Sequence, residues 1–237
     1  MATSDNQARA RGQVGSQTLA RGLCALLAVV DSPAGLSVQE IAAHLGVHRS
    51  IAYRLLQTLS DYGFVVQGAS GSYLPGARLA VMSRSYLPAL REYALPVMRE
   101  LADELGCTVS LFVAEGLDAV SVELVEPLTV SHHLAFRAGM RTPLDRGAAG
   151  YVLMAAEPQR PGEPAVVTEV RERGYATSAG EVEPGAFALA ALIPDILPRA
   201  SLAVMSHREE QVLAARDPLL KAAERIGHEA EFTSGAV

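Results

Sequence analysis

Between Ser37 and Tyr62 the chain reads SVQEIAAHLGVHRSIAYRLLQTLSDY, and its apolar residues form two short helical stripes separated at Gly46. Ser37 with Glu40 three residues later makes a capping box, in which hydroxyl and carboxylate each satisfy a backbone donor at the helix start. Val38, Ile41 and Leu45 supply that helix's apolar face. Gly46 ends it, because a residue without Cβ enters the left-handed region cheaply. In the second helix Ile51, Leu55, Leu59 and Tyr62 recur at spacings of three and four, widened by Leu56, which predicts its buried face. Arg49, Ser50, Tyr53, Arg54 and Gln57 fall on the opposite, water-facing side. Side chains of these types hydrogen-bond base edges and phosphates. The pair therefore reads as a helix-turn-helix whose second helix contacts DNA. A plain hairpin of core helices has no reason to gather Arg, Tyr and Gln on its outer face.

Upstream, Leu19, Leu23, Leu26, Leu27 and Val30 mark a helix from Thr18 to Val30, expected to pack across the pair as the module's third helix. Downstream, Gly63 stops the recognition helix and Phe64–Val66 and Tyr73–Leu74 read as strands around a Gly/Ser turn. That is the wing of a winged helix. Leu79, Met82, Tyr86 and Leu90 then predict an amphipathic linker helix over 79–93. The small module cannot bury that stripe alone. A second copy of the chain is the expected cover, and the chain's own second domain is the alternative.

Past Tyr93 the pattern changes. Helices are expected at Leu95–Leu105, with Pro96 in the first turn, at Gly147–Ala156, at Ala165–Arg173 and at Glu209–Ile226, the last broken at Asp217-Pro218. Strands are expected at Thr108–Ala114, Ala119–Val125, Thr129–Phe136, Ala186–Ile193 and Ser201–Met205. Helices against an antiparallel sheet make an α+β fold. The domain organisation is then a disordered arm at 1–16, the winged helix-turn-helix at 17–78, the linker at 79–93, the second domain at 94–230 and a tail at 231–237.

With 49% hydrophobic and 19% charged residues among 237, the chain is expected to be a packed globular protein. A net charge of −6 argues against nucleic-acid binding only if it is evenly spread. Residues 1–91 hold eight arginines against four acids, a net +4, which leaves −10 for the remainder. A basic N-terminal third is the electrostatic footprint of a DNA-binding module. Arg9 and Arg11 in the arm either reach a minor groove or have no role. Cys24 and Cys107 sit in apolar patterns and read as free thiols. No apolar run approaches the length of a membrane span, so a cytoplasmic protein without membrane contact is expected.

Catalytic signatures are lacking: there is no G-x-S-x-G, phosphate-binding loop, paired zinc-type cysteines or H-E-x-x-H. His132 and His133, adjacent on an expected strand, point to opposite faces and cannot readily share a metal. Asp145 and Arg146 read as a loop salt bridge. No catalytic residue, metal or cofactor is expected, and an enzyme is the weaker reading.

Three blocks in order resemble the IclR family of bacterial transcriptional regulators: LSVQEIAAHLGVHRSIAYRLLQTL, then GMRTPLDRGAAG from Gly139 to Gly150, then RERGYA with EPGAFALAA between Arg171 and Ala191. The second block is similar to the family's G-x-R-x-P-L-H-A-T-A-x-G segment. The resemblance implies a winged helix, a linker helix and a GAF-like effector domain, assembled as a homodimer or dimer of dimers on double-stranded operator DNA. On it, Arg49, Tyr53, Arg54 and Gln57 contact DNA, with His48 and Ser50 meeting phosphate at the helix start. Two departures stand out. Val65, Val66 and Gln67 lie where relatives often carry basic wing residues, and 157–164 is short, as if a helix were deleted.

Relatives that bind small carboxylates offer Asp, Cys and two Ser around the ligand. The matching positions here are Ser178, Ala188, Ala203 and Met205. Backbone donors at Ala148 and Ala149 are expected to hold an anion or carbonyl at a helix N-terminus, with Phe136 in the wall. His133 stands open between lining the pocket and simple packing. The implied effector is an aromatic or partly apolar carboxylate. The competing reading is a regulator or scaffold that has lost effector binding.

Overall fold

The computed structural model describes residues 15–128 and 136–234. Arg9 and Arg11, the strand expected from Thr129, His132, His133 and the last tail residues lie outside them. The chain divides into two compact units, 1–86 and 87–237.

Helices α1 (Gln17–Val30), α2 (Val38–Leu45) and α3 (Arg49–Asp61) form the first unit with the hairpin β1 (Val65–Gln67) and β2 (Tyr73–Pro75). The capping box closes α2: the Glu40 N–H donates to Ser37 Oγ and the Ser37 N–H to Glu40 Oε2. Gly46 ends α2 at φ 62°. The core gathers Ala25, Val29, Ile41, Ala42, Ala52, Leu56, Val65 and Tyr73.

Two expected faces are corrected. In α3 the inward arc is Ala52, Leu55, Leu56 and part of Leu59, whereas Ile51 and Tyr62 are 41% and 70% exposed. In α1 the buried residues are Ala25 and Val29, and the stripe of Leu19, Leu23, Leu27 and Val30 faces solvent. The reason is the same in both helices. Small residues let helices approach closely, so the contact arc centres on Ala25 and Ala52. Periodicity alone finds an apolar face but not what covers it.

The continuous linker helix is also corrected. Helix α4 (Ala77–Ser83) ends before a short turn, and α5 (Pro88–Leu105) starts anew. Proline disfavours helical backbone in the residue before it, and Leu87 takes φ 46° instead. Helix α5 absorbs both the end of the expected linker and the next expected helix, so Pro96 lies in its interior rather than its first turn.

In the second unit β3 (Thr108–Glu115), β4 (Asp118–Val125), β5 (Arg141–Pro143), β6 (Tyr175–Ala179), β7 (Phe187–Ile193) and β8 (Ala200–Ser206) build one sheet, ordered β5-β4-β3-β8-β7-β6. Every neighbouring pair is antiparallel. Alternation decides the two faces. Val109, Leu111 and Val113 of β3, with Ala200, Leu202 and Val204 of β8, meet one core. That core is completed by α5, α8 (Glu209–Ala214) and α9 (Arg216–Ser234). Helix α9 starts at Arg216, so the break falls at Ala215, and Pro218 sits in the new helix's first turn, where it is tolerated.

Phe112 of β3, with Ala203 and Met205 of β8, faces the other side, under α6 (Gly147–Ala155) and α7 (Ala165–Arg173). Ser110 and Ser201 are buried on this face too. Ser110 Oγ donates to the Glu123 carbonyl, so it accepts from Ser121 at 2.9 Å. Ser201 Oγ, cross-strand from Phe112, is buried without a partner among the described residues.

The short 157–164 segment is held by charge. Arg171 grips Glu163 through both guanidinium nitrogens and donates to the Glu157 carbonyl at 3.1 Å, while Arg199 and Arg160 meet the Glu157 side chain. The Arg171 hydrogen bond holds the Glu163 carboxyl below its ordinary range, and the Arg199 bond does the same for Glu157. A depressed carboxyl contributes stability that is present above its unfolded value, about 4.3, and is lost as pH falls through the lower folded value. Calorimetric melts should therefore lose Tm on acidification from about pH 4.3 downward, and Arg171→Ala should flatten that acid limb. An identical limb in the variant would contradict the assignment.

Candidate functional site

Helix α3 presents Arg49, Ser50, Tyr53, Arg54 and Gln57 on its exposed face. The start of the helix is built by His48, whose Nδ1 accepts from the Ser50 N–H at 3.3 Å and lies 2.9 Å from Ser50 Oγ. His48 is thus an N-cap, and it and Ser50 engage each other rather than standing ready for phosphate. Gln57 is engaged as well, its Nε2 donating to Asp61 Oδ1 at 2.8 Å. Arg49 and Arg54 take no ion pair among the described residues. They and Tyr53 are the open contact groups of the face. In the hairpin, GFVVQGASGSYLPG from Gly63 to Gly76 carries no charge at all.

The second unit holds a small cavity of about 40 Å³, open to solvent at its mouth, between α6 and the sheet. Phe136, Ala148, Ala149, Ser178, Ala188, Ala203 and Met205, all singled out from sequence, line it, and His133 lies outside the described residues. Sequence reasoning missed Phe112, Thr142, Arg146, Glu181, Glu183 and Phe187, which line it too. The wall is apolar and aromatic. Phe112 and Phe136 meet edge to face, ring centres 5.8 Å apart at 71°, a geometry into which a third ring can stack.

Helix α6 can sit against this cavity because its first residues are small. A Cβ on Gly150 would come within 2.6 Å of the Leu144 carbonyl oxygen, closer than real contacts allow. Of the two N-terminal amides expected to stand open, that of Ala148 is taken within the chain, and that of Ala149 has no hydrogen bond among the described residues. The Gly147 N–H donates to Glu181 Oε2 at 2.9 Å, and the Ala148 N–H donates to Ser178 Oγ at 3.0 Å. The Tyr151 hydroxyl donates to the same Glu181 oxygen at 2.6 Å. Burial, then the neighbouring Glu181 carboxylate, push the Tyr151 pKa up to about 12. The chain itself therefore fills the Ala148 amide and sets the Glu181 carboxylate on the neighbouring Gly147 amide, at the place expected for a ligand's carboxylate. Glu181 lies 34 residues from Gly147 in the sequence, and no local pattern announces that pairing.

Nothing in this geometry assembles a nucleophile with a base, and the described residues hold no cluster of three or more His, Cys, Asp or Glu able to bind a metal. No helix among them is long and apolar enough to cross a membrane.

Residues 18–69 match the model of the IclR helix-turn-helix domain, and 87–167 match that of the bacterial transcriptional regulator IclR C-terminal domain. The chain is 31% identical over 153 residues to the transcriptional repressor IclR of Escherichia coli K12, spanning 62% of this chain and 55% of that protein. It is 30% identical over 202 residues to the glycerol operon regulatory protein of Streptomyces coelicolor, spanning 76% of this chain and 79% of that one. Against the first relatives the match spans little more than half of their length. The crystal structure of the Thermotoga maritima IclR superposes with a TM-score of 0.69 at 26% identity, over 90% of this chain and 98% of that one. An IclR homolog from Microbacterium hydrocarbonoxydans, complexed with 4-hydroxybenzoate, gives 0.75 at 21% identity, over 91% and 99% of the two chains.

Proposed function

Because this chain belongs to the IclR family of bacterial transcriptional regulators, we propose that it is a homodimeric DNA-binding regulator, not an enzyme, whose operator affinity is set by a small aromatic molecule in the α6 cavity. The observation that carries this is the outer face of α3. Two arginines without an ion pair among the described residues flank an exposed tyrosine on a helix that its inner face locks in place. Arg49, Tyr53 and Arg54 read or hold the operator, Gln57 contributes through the part of its amide not tied to Asp61, and His48 and Ser50 set the helix start. The domain organisation follows, with the reader in the first unit and the sensor in the second.

The apolar stripe on α1 supports assembly. Leu19, Leu23, Leu27 and Val30 share one exposed face, and apolar faces of this kind mark protein contacts. A second copy is the natural cover, since two modules double the contact with a pseudo-palindromic site. Dimers of such dimers fit the same reading.

The effector reading rests on the cavity wall. An aromatic ring against Phe112, Phe136, Ala203 and Met205 buries apolar surface at roughly 25 cal/mol per Å². The ligand of the Microbacterium protein carries such a ring. Its carboxylate, carried into this cavity, would find Glu181 where a counter-charge should be. The rival reading, a fold that has lost its ligand, is disfavoured by the aromatic and apolar lining that Phe112, Phe136 and Met205 give the cavity.

The test has two arms. Duplexes selected from a random pool by the full-length protein should share two half-sites about one helical turn, or a multiple, apart; a pool with no enrichment would sink the DNA reading. Ala203→Phe, which fills the cavity floor, should cost about 1–3 kcal/mol of stability by overpacking. It should also abolish any ligand-dependent change in affinity for the selected duplex while leaving that affinity in place. An unchanged ligand response in Ala203→Phe would remove the cavity from the mechanism.

A further inference from the structure

We infer that Glu181 is the specificity-determining residue of the α6 cavity, selecting an uncharged aromatic molecule bearing a hydroxyl or amino group and turning away aromatic carboxylates. The inference rests on the effector reading above and names the chemical class of the ligand. Its warrant is an occupied position. Helix N-termini attract anions because their first N–H groups point outward and the helix dipole favours negative charge. In this chain that place holds an anion already, tethered by the chain. Glu181 Oε2 accepts from the Gly147 N–H and the Tyr151 hydroxyl together, at 2.9 and 2.6 Å. Ser178 Oγ takes the next amide, that of Ala148. A ligand carboxylate entering the cavity would have to evict a carboxylate held by two donors, or lie beside it.

The surrounding charges do not soften that conflict. Among the described residues, Glu181 lines the cavity with one cation, Arg146. Arg146 is exposed, so its charge is screened by water. The Glu181 carboxylate, beside a screened base, leaves the helix end repulsive to a second anion. The same lining suits a donor. An ionised carboxylate is an acceptor only, and both described hydrogen bonds fall on Oε2. A ligand O–H or N–H directed at Oε1 gains a charge-assisted hydrogen bond while its ring meets Phe112 and Phe136. Tyr151 and Gly147 hold the carboxylate still, so the acceptor is preorganised.

Phenol and benzoate test this as a matched pair, because they share the ring and differ in the head group. Calorimetry on the full-length protein should show phenol bound in preference to benzoate. Glu181→Ala, which vacates the helix end, should tighten benzoate by roughly 10–100-fold, the range of one charge-assisted hydrogen bond. Glu181→Gln keeps the group's size and its acceptor for Gly147 but removes the charge. It should gain benzoate by less, and it carries the test if Glu181→Ala melts at assay temperature. Wild-type protein that binds benzoate as tightly as phenol would overturn the inference and leave the effector cavity standing. So would a preference for phenol with no gain of benzoate in either variant. Binding of neither probe to any of the three proteins would instead bring down the effector reading, and this inference with it.

Discussion

Full-length protein carrying Leu23→Glu and Leu27→Glu is expected to stay folded, to sediment as a monomer, and to bind a two-half-site duplex roughly 10²–10⁴-fold more weakly than the parent. The two leucines stand on the exposed side of α1, while Ala25 and Val29 hold its inner side. Removing them opens no core. Glutamate is nearly as good a helix former as leucine, so α1 should persist with little change in thermal unfolding. What changes is the apolar stripe, now carrying two like charges where the second copy would lie. Two linked modules bind a two-site operator with the second contact made intramolecularly, and a monomer forfeits that gain without losing any single contact. Sedimentation velocity and fluorescence anisotropy on one preparation read both outcomes. A variant that remains dimeric with full operator affinity would place the self-association surface elsewhere.

Arg49→Ala and Arg54→Ala address the reading face itself. Each should leave the melt unchanged, because neither side chain belongs to the core or pairs with another group among the described residues. If an arginine forms a bidentate pair with guanine, its loss should cost about 1–3 kcal/mol, concentrated at one base pair of each half-site. If it holds phosphate instead, the loss should be similar on every sequence, and the dependence of log affinity on log salt should shallow by roughly 0.9 per lost contact. Anisotropy titrations at three salt concentrations, against the selected duplex and a scrambled one, separate the two. Undiminished affinity in both variants would remove α3 as the reader.

How much of this was legible beforehand depends on the range of the interaction involved. The capping box at Ser37 and the stop at Gly46 are settled by residues within one helical turn, and the helix-turn-helix was readable from them. The β3–β4 hairpin was equally local: Glu115 faces Asp118 across a two-residue turn with Gly116 at φ 64°. The break at Leu87 was missed because the apolar spacing of Leu79, Met82, Tyr86 and Leu90 runs straight across it, and the weight of Pro88 was not set against that spacing. Helix α1 packs across the pair as expected, but through Ala25 and Val29, and the spacing of its leucines does not say which part of the stripe its own module covers. Strands β5 and β6 went unnamed, three and five residues long and poor in β-branched residues. In the cavity, residues near the family-like blocks were found and Phe112 and Glu181 were not. Their membership is created by the sheet and by a pairing 34 residues apart, which only the folded chain brings together.

The uncharged β1–β2 hairpin bears on how such a protein would be shared out across a chromosome. Contacts to phosphate are made alike on every sequence, so each basic residue in a wing strengthens the hold of the many irrelevant sites along with that of the right one. Those competing sites number in the millions, and the fraction of molecules left over for the operator depends on the ratio of the two affinities rather than on either alone. On the proposed reading, a wing without lysine or arginine would lower the indiscriminate term and leave the selective one to whichever of Arg49 and Arg54 reads a base. Fewer copies per cell would then suffice to keep the operator occupied.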